Sequence, residues 1–190
     1  MSAAPVLQTK RLTLRPFTSA DLPAFFEIMS DEQTNTFLPW FPVKTLDQAE
    51  RMLEERYLSR CDRGCHCAVC LGERPIGYIN LDGEAPYDLG YGFLPAYWGR
   101  GLAAEAAGAV LDRARTQDVP YITATHDRNN PASGRVMKKL GMTYRYSYEE
   151  LWQPKNFPVV FRLYQINFAE PAFVYPGYAQ RWPHFVEPNP

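Results

Sequence analysis

Between a run that reads as a strand, Tyr87–Leu94, and an alanine-rich helix lies Trp98-Gly99-Arg100-Gly101-Leu102-Ala103, and this turn constrains the fold more than any other segment. Glycines at alternate positions let the backbone approach a ligand and aim successive N–H groups at it. The start of the helix adds partial positive charge, so a phosphate or pyrophosphate is the natural guest. The turn lacks the Gly-Lys-Ser/Thr of a Walker loop. It also lacks the third glycine and the later acidic residue of a dinucleotide fingerprint. On its residues alone it is either an anion site or a tight turn that lets a helix pack on a sheet.

The rest of the chain frames that turn. Arg11–Phe17 alternates and predicts a first strand, and Thr18 with Asp21 forms the signature of a capped helix running to about Met29. Gln33–Lys44 reads as a loop carrying Phe37, Trp40 and Phe41. Thr45 caps a second helix, with Leu46, Ala49, Met52, Leu53 and Tyr57 at helical spacing. Strands are expected at Cys65–Leu71, Pro75–Leu81 and Tyr87–Leu94, then a helix from about Gly99 to Thr116. A strand at Pro120–His126 and a short helix from Pro131 to Gly141 precede a closing antiparallel pair, Thr143–Trp152 and Phe157–Phe168. This order predicts an α/β fold with a mixed, mostly antiparallel central sheet and four helices. Residues 1–168 read as one domain. Residues 169–190, with five prolines and several rings, read as an irregular arm packed on the body or on a second subunit of a homodimer.

Composition narrows the function classes. With 190 residues the chain suits a single domain. Its 20 basic and 21 acidic residues offer no electrostatic case for nucleic acid or for an anionic membrane. No stretch approaches the roughly 20 apolar residues of a spanning helix, and nothing resembles a signal peptide, so a cytoplasmic protein is expected. Cys61, Cys65, Cys67 and Cys70 lie within ten residues, with His66 among them. Such thiolates suit zinc, but a straight strand sends Cys65, Cys67 and Val69 to one face and His66, Ala68 and Cys70 to the other. Structural thiols and no metal are expected.

The segments around the glycine turn resemble a known family. Asp88-Leu89-Gly90-Tyr91, followed by Leu94-Pro95-Ala96-Tyr97-Trp98-Gly99-Arg100-Gly101-Leu102-Ala103-Ala104-Glu105-Ala106, resembles the acetyl-CoA motif of the GNAT (Gcn5-related N-acetyltransferase) superfamily. Asn130-Pro131-Ala132-Ser133-Gly134-Arg135-Val136-Met137-Lys138-Lys139-Leu140-Gly141-Met142 is similar to the next motif, in the form found in ribosomal-protein-alanine N-acetyltransferases. Leu7–Pro16 is similar to the first strand of that branch. Ala96 departs from the Gln or Arg of the general Q/R-x-x-G-x-G/A pattern, at a place where backbone amides make the contacts.

The resemblance implies a GNAT fold, its sheet splayed at the cofactor site, and transfer of acetyl from acetyl-CoA to a primary amine, either a protein N-terminus or a small molecule. It implies that Trp98, Gly99, Arg100, Gly101, Leu102 and Ala103 hold the pyrophosphate, with Trp98 wedged beside the turn. It implies that the backbone at Phe93 and Leu94 pairs with the pantetheine arm, which Gly92 lets approach. Asn130 would bond the pantetheine, and Ser133 would lie near the thioester sulfur. Many relatives carry a tyrosine as general acid where this chain has Met137, so Ser133 is the candidate that polarises the departing thiolate, with bound water as its rival. Asp88 stands where the branch usually has glutamate. It is expected to accept the amine proton through a water, or to hold the ammonium; Glu149, Glu150 and His126 are weaker rivals. The loop Phe37–Pro42 would wall the acceptor or plug the core. A GNAT-fold protein that binds acyl-CoA and regulates with little turnover is the alternative reading.

Overall fold

A computed structural model describes residues 6–59 and 64–190. Cys61 lies outside the described residues. The strands form two antiparallel sheets. The first holds, in spatial order, β1 (Leu7–Gln8), β2 (Leu12–Arg15), β3 (Gly64–Leu71), β4 (Arg74–Asp82) and β5 (Leu89–Phe93). The second holds β6 (Tyr121–Asp127), β8 (Phe157–Asn167), β7 (Thr143–Trp152) and β9 (His184–Phe185). A lone parallel bridge, Asp88 to Thr123, joins the sheets and makes the whole mixed. From that rung β5 and β6 run on without further pairing, so the sheet is splayed beyond it.

Alternation along β3 sorts the core as its sequence predicts. Cys65, Cys67 and Val69 face α3 (Leu102–Arg115) and α4 (Pro131–Lys139). Ala68 and Cys70 face α1 (Leu22–Ser30) and α2 (Leu46–Leu53). Helix α3 buries Leu102, Ala106, Val110, Leu111 and Ala114, a stripe at helical spacing. Each of its large side chains stabilises the fold by about 1.5–3 kcal/mol.

Local chemistry sets the ends of the elements. The Asp21 carboxylate accepts from the Thr18 N–H at 2.8 Å and takes both arms of the Arg15 guanidinium at 2.7 Å, so the predicted capping residue also ties the first helix to β2. Thr45 caps α2 by accepting from the Gln48 N–H.

Several expectations need correction. Leu46 is exposed, because as the first residue of α2 it precedes the buried stripe of Ala49 and Leu53. Tyr57 reaches the core through a π turn, Glu54–Leu58, that shifts its phase. The expected first strand is present as β2, but a further short strand, β1, precedes it and pairs back on it antiparallel, across a turn where the Thr9 hydroxyl and the Arg11 N–H both donate to Glu105 on α3. The long third helix begins at Leu102, after a 3-10 turn at Pro95–Tyr97. A fifth helix, α5 (Gly177–Arg181), lies in residues 169–190. These residues pack on the chain's own body. Strand β9 pairs with β7, Tyr178 stacks on Tyr148, and the Arg162 guanidinium donates to the Glu187 carboxylate.

Candidate active site

The splay turns the end of β5 into one wall of a cavity. Gly99 and Gly101 both adopt the left-handed backbone, with φ of 70° and 74°. That conformation costs other residues roughly 1–2 kcal/mol, which explains both glycines. Gly101 is the N-cap of α3, so the first amides of the helix face outward beside it. A cavity of about 600 Å³ runs from Gly99, Gly101, Leu102 and Ala103 to Asn130 and Ser133 on α4 and to Tyr91 and Phe93 on β5. Gln33, Thr34, Phe37 and Leu38 close its other side. A second hollow of about 450 Å³ continues from Gly101 and Lys139 along α3 and is lined by Arg11, Arg100 and Arg115.

The cavity thus brings together most of the residues singled out in the sequence. Trp98 is half-exposed, and its indole N–H donates to the Phe93 carbonyl at 2.6 Å. It is a brace between the turn and the strand it follows. Arg100 is exposed, stacks over Tyr97, and lends its carbonyl to Arg11. Asn130 caps α4, its side-chain oxygen accepting from the Ser133 N–H at 3.3 Å, which leaves the amide NH2 as its group for a ligand.

Two backbone expectations shift. The Leu94 N–H donates to Ile76 on the near side, so it points into the first sheet. The Phe93 carbonyl already accepts from Trp98 and from the Thr34 hydroxyl. By the alternation of the ladder, the groups of β5 that face the opening are those of Tyr91 and the Phe93 N–H. Gly92 lines the cavity, and it has a second reason to lack a side chain. A Cβ there would meet the Tyr78 ring at 2.6 Å, so this glycine makes room for a core side chain.

Asp88 does not line the cavity. It sits at the closed end of the wedge, where its Oδ1 lies 3.1 Å from the Thr123 hydroxyl. Burial, reinforced by the Asp82 charge and only partly offset by Thr123, pushes its carboxyl up to about 7. Asp88, Gly90 and Gly92 share one face of β5, and a Cβ on Gly90 would meet nothing. Bare backbone therefore separates the carboxyl from the cavity. Tyr148 and Tyr178, stacked at 4.8 Å, both feel the Asp88 charge.

The rival bases are placed elsewhere. His126 is buried against α4, its ring holding off any Cβ at Gly134, and burial pushes its pKa down. Glu149 is exposed; Glu150 is half-buried, and burial raises it. Met137 is core. The sequence reading missed Tyr91, whose hydroxyl lies 2.9 Å from Ser133 Oγ. The available signal was a tyrosine between two glycines, on the strand face shared with Leu89 and Phe93. It also missed Lys155, whose ammonium donates to the Asn35 and Thr36 carbonyls at 2.9 and 3.0 Å. That contact straps the tip of the β7–β8 hairpin to the aromatic loop. In this loop Leu38 and Trp40 pack on the core while Phe41 is exposed, so it both walls the cavity and plugs the core.

Among the described residues no cluster of three His, Cys, Asp or Glu side chains could hold a metal, and no helix is long and apolar enough to cross a membrane.

In sequence and in fold the chain is similar to acetyltransferases. The family described as Acetyltransferase (GNAT) domain matches residues 11–143. An uncharacterized N-acetyltransferase of Bacillus subtilis, YnaD, is 33% identical over 142 residues, which cover 72% of this chain and 81% of the relative. A GNAT-family acetyltransferase from Bacillus anthracis superposes with a TM-score of 0.77 at 25% identity, covering 87% of this chain and all of the other. The ribosomal L7/L12 alpha-N-protein acetyltransferase RimL, solved in complex with coenzyme A, shares the fold with a TM-score of 0.69 at 17% identity, over 89% of this chain and 100% of its own.

Proposed function

The chain belongs to the GNAT acetyltransferase family and is an acetyl-CoA-dependent N-acetyltransferase; from that premise we propose direct transfer to a primary amine, with the thioester between Ser133 and β5 and the amine approaching over Gly90 from the side of Asp88. The observation that carries this reading is the single cavity that joins the glycine turn, Asn130 and Ser133.

In this reading the amides at the start of α3 hold the pyrophosphate, through fixed dipoles that need no side chain. Arg11, Arg100 and Lys139 add positive charge for the nucleotide end. The open backbone groups of Tyr91 and the Phe93 N–H pair with the pantetheine arm, and the Asn130 amide donates to it. Asp88, ionised above about pH 7, accepts the proton of the incoming ammonium through a water lying over Gly90. The amine nitrogen then attacks the thioester carbonyl carbon. The C–N bond forms, the C–S bond breaks, and the electron pair leaves on sulfur, beside Ser133; the nitrogen then sheds its second proton, which passes through water to the thiolate, leaving the amide and CoA as its thiol. Holding both reactants in one wedge supplies much of the rate.

The Lys155 strap bridges the acceptor side, which favours a slim amine: a small molecule or an unstructured N-terminal residue. Resemblance to the ribosomal-protein-alanine branch favours the second. Such an enzyme works where acetyl-CoA is made and used, in the cytoplasm.

The test is acetyl-CoA turnover by the purified protein against peptides with free N-termini and against polyamines, read as released CoA thiol and as acetylated product by mass. Acetylation of one class identifies the acceptor. Tight acetyl-CoA binding without release under any amine would favour the regulatory reading, and absence of binding would remove the proposal.

A further inference from the structure

We infer that Tyr91 is a positioning residue that acts through Ser133, forming a switchable hydrogen-bond chain that stabilises the departing thiolate. The inference rests on the reading of the cavity as the acetyl-CoA site.

The geometry is a three-atom cluster. The Tyr91 phenol oxygen lies 2.9 Å from Ser133 Oγ and 3.1 Å from the Ser133 carbonyl oxygen, and both residues line the cavity. The phenol has one proton and the carbonyl can only accept. When the phenol donates to the carbonyl, its contact with Oγ requires the seryl proton to point back at the phenol. Ser133 then shows the cavity only lone pairs. When the phenol donates to Oγ, the seryl proton is free to turn outward. The carbonyl loses nothing essential by this change, because as a helical carbonyl of α4 it already accepts from the amide four residues on.

The two arrangements suit two stages of the reaction. A neutral thioester sulfur is a weak acceptor and gives no reason for the outward state. A sulfur that is taking up the electron pair of the breaking C–S bond is a strong one, and draws the chain Tyr91 O–H to Ser133 O–H to sulfur. Each donor polarises the next, and an ionic acceptor strengthens both bonds. The stabilisation therefore appears mainly in the transition state, which is what raises kcat. The proton of Tyr91 stays on Tyr91: burial pushes the phenol above its ordinary range, so it donates a hydrogen bond and does not ionise. This chain fills the gap left by Met137, which has no proton to offer.

The experiment compares wild type with Tyr91→Phe, Ser133→Ala and the double variant. Tyr91→Phe should lower kcat about 5- to 10-fold, the worth of one net hydrogen bond, and leave KM for acetyl-CoA within about 2-fold. The double variant should be no slower than Ser133→Ala alone, since the phenol acts only through the serine. The second readout needs no turnover. The thiol of bound CoA, titrated by its thiolate absorbance, should ionise at a pH higher by about half a unit in Tyr91→Phe, and in Ser133→Ala, than in wild type. Multiplicative losses in the double variant, or an unmoved thiol in Tyr91→Phe with CoA bound and an unchanged melting temperature, would overturn the chain while leaving the cavity as the acetyl-CoA site. CoA that fails to bind the wild type would overturn both.

Discussion

Thr123 places one hydroxyl between two acceptors, 2.9 Å from the Pro86 carbonyl and 3.1 Å from Asp88 Oδ1. It has a single proton to give. If the proton goes to the carbonyl, the contact with Asp88 is filled by a proton on the carboxyl itself. The rung that joins the two sheets thus accommodates a protonated Asp88 as well as an ionised one, in keeping with a carboxyl pushed up to about 7.

The pH dependence of catalysis follows. As a base Asp88 works only when ionised, so kcat/KM should rise with pH and level off above about 7. Asp88→Asn should remove this limb and lower kcat/KM by about 100-fold or more. A profile of Asp88→Asn that keeps the same limb would assign the base elsewhere.

The same group makes an opposite contribution to stability. Its folded pKa is raised, so between about pH 4 and pH 7 the folded state binds more protons than the unfolded one, and stability falls as pH rises through that window. Asp88→Asn should flatten this decline in a series of urea melts. Glu187 behaves the other way. Hydrogen bonds from Arg162 hold its carboxyl down, against partial burial, to about 2, so its contribution is complete above the ordinary carboxylate range and is lost as pH falls toward 2. Glu187→Gln should cost about 1.5–3 kcal/mol at neutral pH, and less as the acid limb is approached.

At Gly101 the left-handed backbone acts against a side chain, and in the proposed reading so does the approach of the pyrophosphate. Gly101→Ala should lower acetyl-CoA affinity, measured by calorimetry, and destabilise the fold by about 1–2 kcal/mol. Gly134→Ala is the control for stability without the phosphate turn. Its Cβ would meet His126 Nε2 at 2.7 Å, and overpacking of this kind costs about 1–3 kcal/mol.

Removing the strap tests the acceptor wall. Lys155→Met should speed amide exchange across residues 33–42 and lower melting only slightly. It should also improve turnover of bulkier amines relative to slim ones, by a ratio read from competing acceptors. Unchanged exchange in that loop would show that the strap does not hold it.

How much of this was legible in the sequence depended on the range of the interactions. The glycine turn, the Pro131 helix start and the two faces of β3 are written in residues next to one another, through φ preference, capping and alternation. Leu46 was misjudged because a periodic pattern does not say where its first turn meets the core. That the Phe93 carbonyl is already occupied was not legible, because its partners, Thr34 and Trp98, reach it only once the chain has folded. Tyr91 and Ser133 are 42 residues apart, and no local rule pairs them.

The boundary between the sheets is also a boundary along the chain. Every strand of the first sheet lies before Leu94 and every strand of the second after Pro120, with α3 between them. Each sheet closes its own ladder without borrowing a strand from the other half. A chain cut in the connection after α3 therefore yields two fragments that each keep the strands of a whole sheet and meet along one rung, the Tyr91–Ser133 and Lys155 contacts, and one shared apolar core. Mixing such fragments should rebuild the wedge by complementation, making its opening a seam between the two halves of the chain.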